Sequence, residues 1–223
     1  YQYADFDLVN GNYLLKAGQP NNGVPRESIK PGDIRFKDIN GDGQVDNYDL
    51  TIIGNPNPKH IGGFNNNFNY KNFDLNVFLQ WSYGGDILNA NRIEFEGGDP
   101  VTRGFLNMFA SFADRWTPEN QTNSLYRVGG QGPAVYSSRT IEDGSYLRLK
   151  TLSLGYTFNA DQLRRLRMKS IRLYVAAQNL VTWTKYSGLD PEVSTRPGAL
   201  TPSFDWSAYP RPRTMTVGID LNF

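Results

Sequence analysis

The chain has 223 residues, of which 39% are hydrophobic, 13% aromatic and 20% charged, and its mean hydropathy is -0.54. No run approaches the roughly 18 apolar residues of a membrane-spanning helix, which excludes an α-helical membrane protein but not a β-barrel, whose walls show lipid only alternate residues. Lys+Arg 23 against Asp+Glu 22 leaves a net charge of +1, which argues against nucleic-acid binding, and the absence of cysteine removes disulfides, thiolate catalysis and Cys-based zinc sites.

The N-terminus, Tyr1-Gln2-Tyr3-Ala4-Asp5-Phe6, has neither an initiator Met nor a charged and apolar leader, so the chain reads as a mature protein or, preferably, a piece of a longer one. A first strand is expected near Tyr1 to Leu8. From about Lys16 to His60 runs a long connection rich in Gly, Pro, Asn and Ser. Within it, Asp38, Asn40, Asp42, Gln44, Asp46 and Asp49 fall at the oxygen-ligand positions of an EF-hand-type calcium loop, with Gly43 at the sharp turn. Asp38, Asn40 and Asp42 would ligate through side chains, Gln44 through its carbonyl, and Asp46 directly or through water. Asp49 stands where a bidentate Glu is usual. The competing reading is an Asx-rich turn, because Asp, Asn and Gly favour turns in any case. A bound Ca2+ here would be structural, because a fully coordinated ion keeps no open position for chemistry.

Phe64, Asn66, Phe68 and Tyr70 alternate with Asn65, Asn67 and Asn69, and the Tyr70-Lys71-Asn72 link is short enough for a hairpin. The next run, Asn72 to Tyr83, sets Phe73, Leu75, Val77, Leu79, Trp81 and Tyr83 on one face of a strand, against Asp74, Asn76, Phe78, Gln80 and Ser82. A second long connection, Gly84 to Gly144, carries Phe105, Met108, Phe109, Phe112 and Trp116 at helical spacing, and one helix is expected there, ended by Pro118.

Chemistry-bearing residues are sparse. His60 is the only histidine and belongs to no triad pattern. Glu94, Glu96 and Asp99 would supply a carboxylate pair, but loop acids at this density are usually just solvated. The residues therefore point to no enzyme and no catalytic site.

Alternation returns at Thr151 to Phe158, with Leu152, Leu154, Tyr156 and Phe158 on one face, and at Ile171 to Trp183, where Asn179 breaks the apolar row. A moderate link, Asn159 to Ser170, joins these two runs, and a third long connection, Lys185 to Pro212, follows them. Arg213 to Phe223 then sets Met215, Val217, Ile219, Leu221 and Phe223 in register.

These runs are roughly nine to thirteen residues long, above the usual strand length of about five or six and close to a tilted bilayer crossing. Aromatic residues cluster at their ends, where amphipathic rings suit a lipid–water boundary. Short and long connections alternate, as periplasmic turns and extracellular loops do in outer-membrane barrels. The fold class is therefore all-β, an antiparallel transmembrane β-barrel segment with extracellular loops at about 16–60, 84–144 and 185–212. Five strands and the one near Tyr1 are too few to close, so further strands are expected upstream. The alternative is a soluble extracellular glycan-binding or adhesion β-domain with a structural calcium site.

Particular segments also resemble a known family. They are Pro31-Gly32-Asp33-Ile34-Arg35-Phe36-Lys37-Asp38-Ile39-Asn40-Gly41-Asp42-Gly43, Ile53-Gly54-Asn55-Pro56-Asn57-Pro58, Gly62-Gly63-Phe64-Asn65-Asn66 and Arg115-Trp116-Thr117-Pro118-Glu119-Asn120. Ser138 to Lys150, Gln178-Asn179-Leu180, Lys185 to Glu192 and Tyr209-Pro210-Arg211-Pro212-Arg213-Thr214 continue the match in order. Together they resemble the C-terminal region of SusC/RagA-family TonB-linked outer-membrane proteins.

That resemblance implies the last strands of a roughly 22-stranded barrel with an N-terminal plug that this sequence lacks. It implies nutrient import, with oligosaccharide or peptide as cargo, in Bacteroidota-like bacteria. The implied partners are a SusD-like surface lipoprotein that caps the mouth, TonB acting through the missing N-terminal part, and outer-membrane lipid. The implied location is the cell outer membrane, with multiple strand crossings. The family supplies no catalytic residues, and Phe223 looks like the aromatic end by which the assembly machinery recognises a final strand.

Overall fold

The computed structural model describes residues 1–97, 105–132, 136–160, 163, 168–196, 198 and 200–223. Its strands are β1 (Phe6–Val9), β2 (Asn12–Leu15), β3 (His60–Tyr70), β4 (Phe73–Tyr83) and β5 (Asp86–Asn89), then β6 (Ile141–Asp143), β7 (Tyr146–Asn159), β8 (Ser170–Thr184), β9 (Phe204–Asp205) and β10 (Thr214–Asn222). A single-turn helix, α1, spans Asn91–Glu96. The chain divides into two compact units, Tyr1–Gly54 with Leu88–Ile141, and Asn55–Ile87 with Glu142–Phe223.

The second unit is built on a five-stranded sheet of order β10-β8-β7-β4-β3, antiparallel throughout. Each of its strands pairs with the wall strand before it in the chain, so the sheet is a meander. The expected runs at 64–70, 72–83, 151–158, 171–183 and 213–223 lie within it but for the end residues Asn72, Arg213 and Phe223. Lys71, at φ 53°, makes the tight β3–β4 turn.

The ladder continues upstream of Thr151 because the register shifts there. Phe78 stands opposite Thr151 and Leu79 opposite Leu149, which leaves Lys150 as an extra residue on β7. On the other side, Leu149 faces Val181 and Thr151 faces Gln178, so β8 carries an extra residue in its turn, and Asn179 sits there at φ 53°. Such bulges bend a strand and strengthen its twist. They also bring Leu147 and Leu149 onto the same face as Leu152 and Leu154, although the two pairs differ in sequence parity.

The three-stranded sheet of order β6-β5-β9 is smaller. In the first unit β1 and β2 form a separate hairpin, with Phe6 opposite Leu15. The wall strand expected near Tyr1 to Leu8 is therefore not one. Asn10 and Gly11, at φ 49° and 79°, make a two-residue turn that ends β1 after four residues. Phe6 and Leu15 instead bury themselves with Tyr1 and Ile29, and Tyr13 and Val24 pack around them.

Long connections of the first unit are not open loops. The Ile34 amide donates to the Gly130 carbonyl at 2.8 Å, the Arg127 amide to the Gly32 carbonyl at 2.8 Å, and the Trp116 amide to the Leu125 carbonyl at 2.9 Å. Gly32 is required at its position on two counts: φ is +88°, and a Cβ would come within 2.5 Å of the Trp116 indole.

A helix over Phe105 to Trp116 does not form. Only a 3-10 turn, Ala110–Asp114, is present, and the backbone is extended on both sides of it. The rings that suggested one stripe go to different places: Phe109 meets Phe95 at 5.4 Å, Trp116 meets Tyr3 at 5.4 Å, and Phe105 is 98% exposed. Tertiary packing thus overrides the helical spacing, and the unit's α-helix lies earlier, at α1.

Candidate functional site

The five-stranded sheet has two chemically distinct faces. On one, Phe68, Leu75, Leu154, Val175 and Val217 stand opposite one another in succession, forming an apolar row across the sheet. The row on one side repeats this with Phe73, Tyr156, Leu173 and Ile219; on the other side lie Val77, Leu152, Ala177 and Met215, with Asn66 on β3, and beyond them Phe64, Leu79, Leu149 and Val181. Val217 is 80% exposed, Met215 75% and Phe68 57%, so none of the described residues of the second unit covers them. A soluble domain would bury such a patch.

Ten residue steps separate Phe73 from Tyr83 on β4. At about 3.3 Å per step and a tilt of about 40°, the face is about 25 Å tall, the height of the apolar band on an outer-membrane wall. Both ends carry rings. Tyr70, Phe73, Tyr156 and Phe158 mark one, where Phe73 meets Tyr156 at 4.8 Å. Trp81, Tyr83 and Trp183 mark the other.

His60 belongs to that second ring cluster. Its Nδ1 accepts from Trp81 Nε1 at 3.2 Å, and its ring stacks on Tyr83 at 5.2 Å. Its role is packing at the edge of the apolar band.

The opposite face is polar. Asn76 Nδ2 donates to Asn65 Oδ1 at 2.8 Å and to Asn67 Oδ1 at 2.6 Å, which orients three carboxamides across two rows of this face. Lys150, at the bulge, donates to Gln80. Toward the Lys71 end, Arg172 makes a two-pronged pair with Asp74, at 2.9 and 2.6 Å, and a third contact with Asp220 at 3.1 Å. Gly155 and Gly218 make room: a Cβ on Gly155 would overlap the Asp74 carboxylate, and one on Gly218 the Tyr174 ring. This ion-pair group escaped the sequence reading, because Asp74, Arg172 and Asp220 come from three strands and only the register unites them. All three did lie on the polar alternation, which was the available signal.

Among the predicted calcium ligands, the carboxylates and carboxamide turn inward on their own backbone. Asp38 accepts from the Gly41 and Gly43 amides at 2.6 and 2.8 Å, and Asn40 Oδ1 from the Asp42 amide at 2.9 Å. Asp42 accepts from the Gln44 amide at 2.8 Å and Asp46 from the Tyr48 amide at 2.8 Å. Asp49 reaches back to the Ile39 and Asp46 amides at 2.6 and 2.8 Å, and those amides hold its carboxyl below the usual carboxylate range. Gly41 and Gly43 take left-handed φ values of 79° and 86°. Among the described residues no three or more His, Cys, Asp or Glu side chains converge as a metal group. The loop has the oxygen pattern, and in this structure its carboxylates serve the turn.

The carboxylates considered for catalysis separate. Glu96 is buried and pairs with Arg92 at 3.2 Å and with Arg139, Glu94 is half-buried on α1, and Asp99 lies outside the described residues. Glu96 is thus neutralised by two guanidinium groups and serves packing in the first unit.

No family model matches the chain. It is 38% identical over 198 residues to TonB-dependent receptor P3 of Formosa agariphila, covering 86% of this chain and 19% of that one. To TonB-dependent receptor P26 of the same organism it is 34% identical, covering 86% and 20%. To TonB-dependent receptor SusC of Bacteroides thetaiotaomicron it is 28% identical over 222 residues, covering 96% and 19%. Among solved structures, the RagAB peptide transporter superposes with a TM-score of 0.68 at 26% identity, covering 100% of this chain and 22% of that one. The chain thus spans about a fifth of the length of the curated relatives it matches. Its two-faced antiparallel sheet is a section of such a wall, and the chain belongs to the SusC/RagA family of TonB-dependent outer-membrane receptors.

Proposed function

We propose that this chain supplies C-terminal wall strands and surface loops of an outer-membrane importer for oligosaccharide or peptide. The observation that carries the reading is the five-stranded sheet with a continuous apolar face about 25 Å tall on one side and an Asn-rich, ion-paired face on the other. Lipid takes the first face and the lumen the second. The long connections, 16–60, 84–144 and 185–212, face the cell exterior, and the Lys71 turn faces the periplasm. The relatives support an import role, and the neighbour titled a peptide transporter makes peptide one of the two cargo classes. A SusD-like surface lipoprotein works at the extracellular mouth, and TonB supplies energy through the plug-bearing part of the receptor.

The test uses the full-length receptor in its own cells. Deleting its gene should abolish growth on one oligosaccharide or peptide source while growth on the monomers is unchanged, and the receptor should purify from outer membranes with a lipoprotein. Unimpaired growth on every such source, or stable monodisperse purification of the chain in plain buffer, overturns the reading.

A second part of the proposal concerns Asp38, Asn40, Asp42, Gln44, Asp46 and Asp49, which take a structural Ca2+ when the ion is present. The spacing of their oxygens and the left-handed Gly41 and Gly43 support it.

A further inference from the structure

We infer that the connection between β8 and β10 is locked to the wall by an ion-pair clamp, buried at Arg148 and Asp190 and extended toward solvent by Glu192 and Arg211, and so serves as a fixed strap and not as an opening lid. All four residues belong to the second unit. Arg148, on the polar face of β7, is 2% exposed. Its guanidinium reaches Asp190 Oδ1 at 2.5 Å and Glu192 Oε2 at 3.3 Å. Arg211 joins Glu192 Oε2 at 3.0 Å. Two cations thus face two anions, and the buried pair, Arg148 with Asp190, is balanced in charge.

Asp190 does more than pair. Its Oδ1 also accepts the Glu192 amide at 2.9 Å, and its Oδ2 accepts the Arg211 amide at 3.2 Å. Those amides lie near opposite ends of the connection, so one carboxylate closes the base of the loop while Arg148 ties that base to the sheet. A planar guanidinium reaches two carboxylates at once in a way that a lysine ammonium on a single stem does not.

Further bonds hold other described residues of the strap. Tyr186 Oη donates to Asp205 Oδ2 at 2.5 Å, the Ser187 amide donates to Glu142 at 2.8 Å, and the Thr195 amide donates to the Phe204 carbonyl at 2.8 Å. Surface connections of this length are usually drawn from the low-stability end of a structure, whereas this base opens only when the buried Arg148–Asp190 pair is broken and exposed. The clamp also gives a physical role to segments that had none in the import reading, because Arg148, Asp190, Glu192 and Arg211 all lie in the segments that resemble the family.

The experiment is hydrogen exchange on the full-length receptor in detergent, read at the Glu192 and Arg211 amides. In the wild type both should exchange at least about 100-fold more slowly than unprotected amides. Arg148→Met should speed both by at least about tenfold, with Arg148→Lys in between. Exchange of the wild-type amides at the unprotected rate overturns the inference, as does unchanged exchange in Arg148→Met. If Arg148→Met loses the heat-modifiable migration of an assembled barrel, Arg211→Met, at the half-exposed end, takes its place, and unchanged exchange there is equally fatal. Cargo and partner play no part in this measurement, so its outcome is independent of the import reading.

Discussion

Asp74 and Arg172 stand on strands that are not neighbours, yet they meet in a two-pronged ion pair across the bare backbone of Gly155 on the strand between them. A side chain on Gly155 would overlap the Asp74 carboxylate and come within 2.8 Å of Arg172 Nε. Gly155→Val should therefore break the pair. Both partners are about a third exposed, so the pair itself contributes only about 0.5–1 kcal/mol. Thermal unfolding of Gly155→Val, Asp74→Asn and the double variant checks this. The double variant should lose little more than Gly155→Val alone, and fully additive losses would show that the valine acts elsewhere.

The two faces of β7 and β8 differ in what they tolerate. Val175, in the apolar row and 52% exposed, faces lipid in the proposed wall, whereas Ser153 faces the lumen. Val175→Arg should cost about 2–4 kcal/mol, as charges at the lipid midplane of outer-membrane barrels do. Ser153→Arg should leave assembly intact. Urea titration of the refolded receptor in lipid vesicles measures both, and equal tolerance at the two positions would contradict the assignment of faces.

Acid should release the strap at its base. Burial works to raise the Asp190 carboxyl, but the Glu192 amide, the Arg148 guanidinium and the Arg211 amide outweigh it and hold the group below its ordinary value of 3.8. A carboxyl lowered by folding contributes stability that is complete above the unfolded value and is lost as the pH falls through the folded one. The strap should thus stay closed down to about pH 4 and loosen only below that. Tryptophan fluorescence of the full receptor, reporting Trp206 and Trp183, should show an acid step that Asp190→Asn lacks. A step near pH 6 would assign the transition to another group.

Calcium provides a further check. If the Asp38 to Asp49 loop takes the ion, added millimolar Ca2+ should raise the receptor's thermal midpoint, and Asp42→Ala should abolish the increase. One site filled to about 100 times its dissociation constant adds about 2.7 kcal/mol. No heat of binding by calorimetry at millimolar Ca2+ would leave the loop as an Asx-rich turn alone, the arrangement its hydrogen bonds already satisfy.

The strands of the wall were legible because side-chain alternation is a local property. Phe73 to Tyr83, with Phe78 the one exception on its polar side, and Met215 to Leu221 show it, and the strands run there. Long and short connections were likewise visible from Gly, Pro and Asn content. Tertiary structure decided where alternation had to slip. From Leu147 and Leu149 to Leu152 and Leu154 the apolar residues change parity, so a strict two-residue period stops at Thr151, yet the ladder passes through by bulging at Lys150. The first segment is no wall strand because Tyr3–Asp5 forms a 3-10 turn and Asn10-Gly11 folds the four residues of β1 back into a hairpin. Spacing at Phe105 to Trp116 suggested a helix whose rings find separate partners in the folded unit.

Sequence alone therefore determined that this chain makes two-faced strands of membrane-crossing length, because the polar and apolar sides of a strand are written two residues apart. Only the fold decided which charges meet. Asp74 reaches Arg172 over Gly155, and Arg148 reaches Asp190 and Glu192, through strand register and loop closure that bring together residues 42 to 98 positions apart. A periodic pattern records what each strand presents to lipid or water, whereas the pairing of charges depends on which strands lie side by side and in what register.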